Sequence, residues 1–288
     1  MAGWRGTIRS KGAAVRDHHA GRRAAALIAA TALLAPAAVF TAVPADASMR
    51  LPPMGGAPDY QLGGAYAPDP EVRIVARDRR EKPAKGRYSI CYINAFQTQP
   101  GERRIWPKRT LLHHKGKVLR DPGWPDEILL DTSSASKRKR IARTVNRWIG
   151  QCARDGYQAV EFDNLDSYTR SKKHLKLRHN LALAKRLVRT AHRYGLAVGQ
   201  KNTAEASRRM KREARFDFAV TESCARWNEC GAYTRVYGPR VIDIEYADQT
   251  SAARFAAYCA RPGAPASMVL RDHDLVRRGG SGYAFRLC

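Results

Sequence analysis

The chain alternates short apolar runs with longer stretches of helical periodicity. Apolar side chains recur at helical spacing between residues 136 and 155 and between residues 175 and 194, and Gly195 follows the second stretch as a predicted C-cap. The short runs predict nine strands, at Tyr60–Leu62, Val72–Ala76, Ser89–Ala95, Glu127–Asp131, Ala159–Asp163, Ala197–Asn202, Phe218–Glu222, Val241–Tyr246 and Ser267–Leu270.

This alternation of strands and helices predicts an α/β fold with a parallel sheet and crossover helices. A single (β/α)8-type TIM barrel is the natural closure over residues 58–288. Nine candidate strands for eight positions mean that one of them is wrong or is an extra strand. A doubly wound open sheet is the alternative, but the sequence has neither a Gly-x-Gly-x-x-Gly turn nor a phosphate loop.

The first 47 residues have the layout of a secretory signal peptide. A basic start precedes an uncharged, Ala-rich run over residues 24–40, and Ala45-Asp46-Ala47 supplies small residues for cleavage before Ser48. We therefore expect an extracellular protein with no stable membrane span after cleavage. A retained membrane anchor is the alternative, since the run approaches the length of a spanning helix. Residues 48–57, rich in Pro and Gly, predict a linker.

Six cysteines follow this leader, and in an oxidising compartment an even number predicts three disulfides. They are Cys91, Cys152, Cys224, Cys230, Cys259 and Cys288. The spacing leaves the pairing open, except that Cys224 and Cys230 are close enough to close a short loop. Zinc binding is the alternative, but the sequence has no Cys-x-x-Cys repeat and no His-Glu-x-x-His motif. We expect neither a metal nor a cofactor.

The chain is strongly basic, with a formal net charge of +26. The leader contains six basic and two acidic residues, so the remainder has a formal charge of +22. Such a surface predicts electrostatic association with anionic polymers, including those of a cell surface. Basic runs such as residues 137–140 lack interleaved aromatic residues, and nothing indicates a specific nucleic-acid site. A solvated basic face is the other interpretation.

Several predicted strands end in acidic, amide or lysine side chains, and in a barrel these ends converge on the face that holds the active site. The residues are Asp131, Asp163, Asn164, Asp166, Lys201, Asn202, Glu222 and Glu245. A single Asp of this kind can cap a helix, but a gathering of acids costs self-repulsion that is tolerated mainly where chemistry needs it. Asp163 and Glu222 lie on different strands. We expect them to face each other across a sugar, as hydrolysis of a glycosidic bond requires.

A series of short motifs resembles glycoside hydrolase family 114, which contains endo-α-1,4-polygalactosaminidases. The motifs are Cys91-Tyr92-Ile93, Trp124-Pro125-Asp126-Glu127, Val160-Glu161-Phe162-Asp163-Asn164-Leu165-Asp166-Ser167-Tyr168, Gln200-Lys201-Asn202, Phe216-Asp217-Phe218, Glu222-Ser223-Cys224 and Glu245-Tyr246. They run in order from about Tyr60 to the last strand, so the resemblance covers nearly all of the chain after the leader.

The resemblance implies a (β/α)8 barrel that hydrolyses a galactosamine-containing polysaccharide at internal linkages. It implies Asp163 as nucleophile or charge stabiliser and Glu222 as general acid/base. It also implies sugar-binding or supporting roles for Asp131, Asn164, Asp166, Lys201, Asn202, Glu245 and Tyr246. Two alternatives remain, a barrel that binds carbohydrate without catalysis and a basic extracellular protein that binds anionic polymers.

Overall fold

The computed structural model describes residues 49–288, so the predicted leader lies outside the described residues. The strands are β1 (Pro58–Gln61), β2 (Ile74–Asp78), β3 (Tyr88–Asn94), β4 (His113–His114), β5 (Lys117–Val118), β6 (Ala159–Asp163), β7 (Ala197–Lys201), β8 (Phe218–Glu222), β9 (Val241–Tyr246), β10 (Ser267–Arg271) and β11 (Phe285–Leu287). The helices are α1 (Ala135–Asp155), α2 (Leu177–Arg193), α3 (Ser207–Arg209), which continues as a π turn over Met210–Ala214, α4 (Cys230–Tyr237) and α5 (Ala252–Cys259).

Eight parallel strands form the barrel, in the order β1-β2-β3-β6-β7-β8-β9-β10, and β11 adds antiparallel to β10. The predicted (β/α)8 barrel is therefore confirmed. The ninth predicted strand, residues 127–131, is the extra one. It forms only isolated antiparallel bridges within the long connection between β3 and α1. Leu129 and Leu130 in this segment are completely buried, and their apolar sequence is why a strand was predicted here.

The seam between the first and last parallel strands is closed by a side chain. Arg271 ends β10, is fully buried, and donates hydrogen bonds to the Asp59 carboxylate at 2.9 Å and to the Tyr60 carbonyl of β1. A guanidinium suits this position because its several N–H groups have a fixed geometry and its charge is balanced by Asp59.

The core consists of two layers, one inside the barrel and one between the strands and the helices. Strand residues alternate between them, so that Ile242 and Ile244 point into the barrel while Val241 packs outward. Close packing inside the barrel explains Gly199, because a Cβ there would lie 2.7 Å from the ring of Phe218. The strands are therefore buried on both faces, which gives their near-continuous apolar sequences.

Helix α1 contacts β3, α2 contacts β7, and the two helices pack against each other. The Ser134 hydroxyl caps α1 by accepting a hydrogen bond from the Lys137 amide, and Gly156 ends it with a left-handed φ of 93°. Both helices bury one apolar stripe in the outer core layer. Their other faces are exposed and basic, as the amphipathic pattern predicts.

Three disulfides join the six cysteines, as predicted from their number, and they include the expected Cys224–Cys230 pair. Cys91–Cys152 ties β3 to α1. Cys259–Cys288 ties α5 to the C-terminus. Cys224–Cys230 closes a short loop directly after β8, which restricts the conformations available to that loop.

The segment predicted as a linker packs against the barrel from residue 49 onward. Met49 and Leu51 contact the inner core layer, and the Tyr88 hydroxyl donates a 2.7 Å hydrogen bond to the Arg50 carbonyl. None of the helices within residues 49–288 has the length and apolarity needed to cross a membrane.

Candidate active site

A cavity of about 690 Å³ opens at the carboxyl ends of the barrel strands, a typical volume for a ligand site. Four residues that line it, Asp163, Lys201, Glu222 and Tyr246, are the last residues of the successive strands β6, β7, β8 and β9. The parallel register therefore brings together side chains that lie far apart in sequence.

The centre of the cavity floor is a lysine between two carboxylates. The Lys201 ammonium lies 3.8 Å from Asp163 Oδ1 and 3.4 Å from Glu222 Oε2. These distances place the two carboxylate oxygens no more than about 7 Å apart, below the upper limit of roughly 9.5 Å for glycosidase carboxyl pairs. Asp163 and Glu222 thus face a common space.

Each carboxylate of the pair also accepts hydrogen bonds from its own neighbours. Asp163 accepts from the Tyr92 hydroxyl and from the Asn164 amide, both at 2.7 Å. Glu222 accepts from the Tyr246 hydroxyl and from the Asn202 side chain, the latter at 2.8 Å. These contacts fix the orientation of both groups before substrate binds, which is what an efficient site requires.

The environments of the pair push the two pKa values apart. Burial raises the pKa of Asp163 above its ordinary value, despite the opposing Lys201 ammonium. Burial also acts to raise the pKa of Glu222, but Lys201, Tyr246 and Asn202 outweigh it, and the net shift is downward. In the free site a proton shared by the pair therefore favours Asp163, which is the reverse of the order expected from the resemblance.

The backbone turns sharply where three of these strands end. Asn164, Asn202 and Ser223 follow β6, β7 and β8, and their φ angles are 63°, 47° and 59°. Non-glycine residues rarely adopt this left-handed conformation, although Asn tolerates it better than most. Local strain repeated at one end of the barrel is characteristic of functional sites.

A second buried carboxylate lies beneath the pair. Glu161, on β6, is completely buried and accepts a hydrogen bond from the Tyr60 hydroxyl, which in turn accepts one from Lys201 at 2.8 Å. Burial raises the pKa of Glu161 to about 7, although the Lys201 ammonium opposes this. Lys201 thus has three carboxylates around it, and together they outweigh its own burial and raise its pKa.

One side of the cavity is built by the long connection after β3. Asn94, the last residue of β3, donates to the Glu127 carboxylate at 2.9 Å and accepts from Asn164 at 3.0 Å. Burial raises the pKa of Glu127 to about 7, and the nearby Asp163 adds to the effect while Asn94 opposes it. Arg170 pairs with Asp121 and with Asp166 at the same wall.

Most of the residues proposed from sequence to bind sugar reach this cavity. Asn164, Asp166, Lys201, Asn202 and Tyr246 line it together with the proposed catalytic pair, Asp163 and Glu222.

Two of the proposed residues, Asp131 and Glu245, do not line the cavity. Asp131 ends the segment wrongly predicted as a strand and instead pairs with Lys137 in the first turn of α1. Glu245 is completely buried and accepts hydrogen bonds from the amides of Ala225 and Arg226, so it shapes the loop after β8. The barrel alternation explains this, because Glu245 lies between the inward residues Ile244 and Tyr246.

Sequence reasoning missed the aromatic residues at the cavity rim. Trp124 and Trp227 line the cavity, yet they are 56% and 63% exposed, which is unusual for such large apolar side chains. Trp227 lies in the loop closed by the Cys224–Cys230 disulfide. The signal was present, since Trp124 precedes Glu127 in one of the motifs and Trp227 sits between the two cysteines.

One group of three possible metal-ligand residues occurs within the described residues, formed by Cys224, Cys230 and Asp243. The two sulfur atoms are bonded to each other and so offer no thiolate to a metal. This group therefore belongs to the framework of the loop after β8.

A barrel with two carboxylates facing a common space at its carboxyl end is the arrangement that retaining and inverting glycosidases use. The sequence matches the glycoside-hydrolase family GH114 over residues 40–288. The chain belongs to that family and is a glycoside hydrolase.

Solved structures show the same fold. The crystal structure of Aspergillus fumigatus Ega3 in complex with galactosamine is 21% identical, covers 84% of this chain and 99% of its own, and has a TM-score of 0.68. The glycoside hydrolase domain of PelA from Pseudomonas aeruginosa is 14% identical, covers 78% of this chain and 98% of its own, and has a TM-score of 0.52. Comparison with curated protein sequences gives no match.

Proposed function

We propose that this protein is a secreted endo-acting glycoside hydrolase that cleaves a galactosamine-containing polysaccharide with Asp163 and Glu222. The observation that carries the proposal is the position of these two carboxylates on either side of Lys201 at the floor of the cavity. The crystallised relative bound to galactosamine supports the choice of sugar. The open cavity with exposed Trp124 and Trp227 suits a long chain that is cleaved internally.

In the proposed mechanism Asp163 attacks the anomeric carbon while Glu222 gives its proton to the leaving oxygen. Water then releases the sugar from Asp163 as Glu222 takes a proton from that water. Glu222 therefore has to be protonated in the bound complex. Its side chain is 29% exposed against 17% for Asp163, so bound sugar removes more water from Glu222. That desolvation raises the pKa of Glu222, while positive charge developing on the sugar lowers that of Asp163.

The charge of the cavity favours a deacetylated, cationic polymer. Seven acidic residues line it against three basic ones: Asp78, Asp121, Glu127, Asp163, Asp166, Glu222 and Asp274 against Arg80, Arg170 and Lys201. This local excess of acid offsets the repulsion expected between a basic protein and a polycation. Free amino groups on the sugar would find carboxylate acceptors along the cavity wall.

Substitution of the pair tests the function. On deacetylated α-1,4-linked galactosamine polymer, Asp163→Asn and Glu222→Gln are each expected to lower kcat/KM at least about 1,000-fold, since a missing nucleophile or acid removes its step. Reducing-end release measures the rate and thermal unfolding measures the fold. Asp131→Asn is the matched control, because this acid lies outside the cavity and should retain the parent rate. Parent rates in both pair variants would overturn the proposal.

Rescue of the variants with azide, a small external nucleophile, distinguishes the nucleophile from the general acid/base. In a retaining enzyme, azide attacks the glycosyl-enzyme when the acid/base is missing, and it replaces the nucleophile when that group is missing. We expect Glu222→Ala with azide to give a glycosyl azide of retained configuration and Asp163→Ala to give the inverted one. NMR of the products assigns the configuration, and the opposite assignment would exchange the roles.

The proposal of secretion rests on the leader-like first 47 residues and on the three disulfides, which persist in oxidising compartments. N-terminal sequencing of the protein from culture medium tests it. A mature N-terminus at Ser48 is the expected result, and retention of residues 1–47 in the membrane fraction would contradict it.

A further inference from the structure

The outer faces of α1 and α2 form a surface with almost no acidic residue, which we call the α1/α2 surface. Helix α1 contains seven Lys or Arg residues and a single acid, Asp155 at its last position, and α2 contains five and no acid. The exposed bases on the two helices are Lys139, Arg140, Arg143, Arg147, Arg154, Arg178, Arg186, Arg189 and Arg193. Such a density of one charge is unusual, since solvated helices normally mix both signs.

The nine exposed bases of this surface have no acidic partner among residues 49–288. Within residues 49–288, no acidic group lies within ion-pair distance of Arg143, Arg147, Arg186 or Arg189. The two helices also repel each other across their contact, because Arg186 adds to the burial that lowers the pKa of Arg138. Uncompensated repulsion of this kind destabilises the fold. An anion bound between the helices would relieve it.

The α1/α2 surface is separate from the active site. No residue of α1 or α2 lines the cavity, and the apolar stripes of both helices are buried against the barrel. A helix of the length of α1, with 21 residues, extends about 30 Å. A polymer bound along this surface would therefore leave the cavity open.

We propose that the α1/α2 surface binds a flexible polyanion with a phosphodiester backbone and no bases, namely a polyol-phosphate chain of the kind that forms wall polymers. Three features of the surface fit such a polymer. The guanidinium groups match phosphate in geometry and charge, and the bases are spread over two helices. No large apolar side chain is exposed on either helix within the described residues. Single-stranded nucleic acids bind by stacking on exposed aromatic side chains, and insertion into a lipid layer needs exposed apolar side chains. A DNA duplex is stiff, so it would contact bases along one line of the surface and not those on both helices. The enzyme is thereby held on an anionic matrix.

Retention on immobilised polyglycerol phosphate across a salt series tests this surface. Log affinity should fall linearly with log salt. The variant Arg143→Gln/Arg147→Gln/Arg186→Gln/Arg189→Gln should lose at least about tenfold in affinity at 0.1 M salt, and its salt slope should fall by about 3, at roughly 0.7 per lost phosphate contact. The matched control removes the same charge elsewhere, as Arg73→Gln/Lys85→Gln/Arg254→Gln/Arg286→Gln, all exposed positions outside both helices.

Three outcomes would overturn the proposal: equal losses in the two quadruple variants, tighter binding of the parent to a DNA duplex with the same number of phosphates, or tighter binding to phosphatidylglycerol vesicles. Hydrolysis of a soluble oligosaccharide substrate should be the same in the parent and in both variants, since neither changes the cavity. This readout keeps the test independent of the proposed function. Binding to the polyanion can fail while hydrolysis persists, and hydrolysis can fail while binding persists.

Discussion

The cavity and the α1/α2 surface handle charge in opposite ways. At the centre of the cavity, Asp163, Lys201 and Glu222 are paired and hydrogen-bonded, and along its lining acids exceed bases by seven to three. On helices α1 and α2, bases exceed acids by twelve to one, and nine of the bases are exposed to solvent. The formal charge of +22 that remains without the predicted leader therefore describes the outside of the barrel and not its active site.

A single charge also has a larger effect on the energy of its neighbours in the cavity than on the α1/α2 surface. Buried groups interact at low effective dielectric and shift each other's pKa, whereas exposed ones are screened by salt. Changes in the cavity should consequently give large and pH-dependent effects. Changes on the α1/α2 surface should give small and salt-dependent ones.

The largest effect on stability is expected from Lys201→Met. The substitution leaves Asp163, Glu222 and Glu161 without their shared cation, so their pKa values rise and the folded state takes up protons. Stability of the variant should thus fall as pH rises, with a deficit of about 3–5 kcal/mol at pH 8 and much less at pH 5. Thermal unfolding at both pH values measures it, and a deficit independent of pH would contradict the account.

Removal of one cavity acid should have an intermediate effect. Burial raises the pKa of Glu127 to about 7, so more of this group is ionised at pH 7.5 than at pH 5.5. On a cationic polymer, Glu127→Gln should raise KM about tenfold at pH 7.5, since a charge-assisted hydrogen bond is worth about 1.5 kcal/mol or more. At pH 5.5 the variant and the parent should agree within about twofold.

The control for this change is Glu71→Gln, which removes an exposed acid outside the cavity. It should leave KM unchanged at both pH values. An equal change in the two variants would mean that Glu127 acts only through the overall charge of the protein.

The smallest of these effects compares two exposed aromatic residues. Trp227 lines the cavity, and Tyr194, 51% exposed, directly follows α2. Trp227→Ala should raise KM about fivefold, equivalent to about 1 kcal/mol of lost stacking. Tyr194→Ala should not change KM. Both should unfold within a few degrees of the parent, because exposed side chains contribute little to stability. A similar KM for both variants would remove Trp227 from the substrate site.

Much of the barrel was predictable because parallel strands buried on both faces leave a strong apolar pattern. The eight strands of the barrel all lie at or near their predicted positions. The exception, residues 127–131, shows the limit of that pattern. Ile128, Leu129 and Leu130 are buried in a long connection and look like a strand, although their partners are loop residues. Apolar composition reports burial and not the identity of the covering element.

The site was predictable only where strand order alone positions it. Asp163, Lys201 and Glu222 end neighbouring strands, so topology places them together. Glu127, Trp124 and Trp227 come from irregular connections, whose course no periodic pattern encodes. The contacts of Lys201 with Asp163 and Glu222 depend on side-chain directions, and these emerge only when the barrel is closed.

The most direct measurement of the central claim compares hydrolysis of α-1,4-linked galactosamine polymers of equal length that differ only in N-acetylation. An acidic cavity that acts through Asp163 and Glu222 predicts that kcat/KM rises at least about tenfold from the fully acetylated to the fully deacetylated chain, with no turnover in Asp163→Asn. Equal or faster cleavage of the acetylated chain by the parent would contradict the claim that the charge of the cavity selects the substrate.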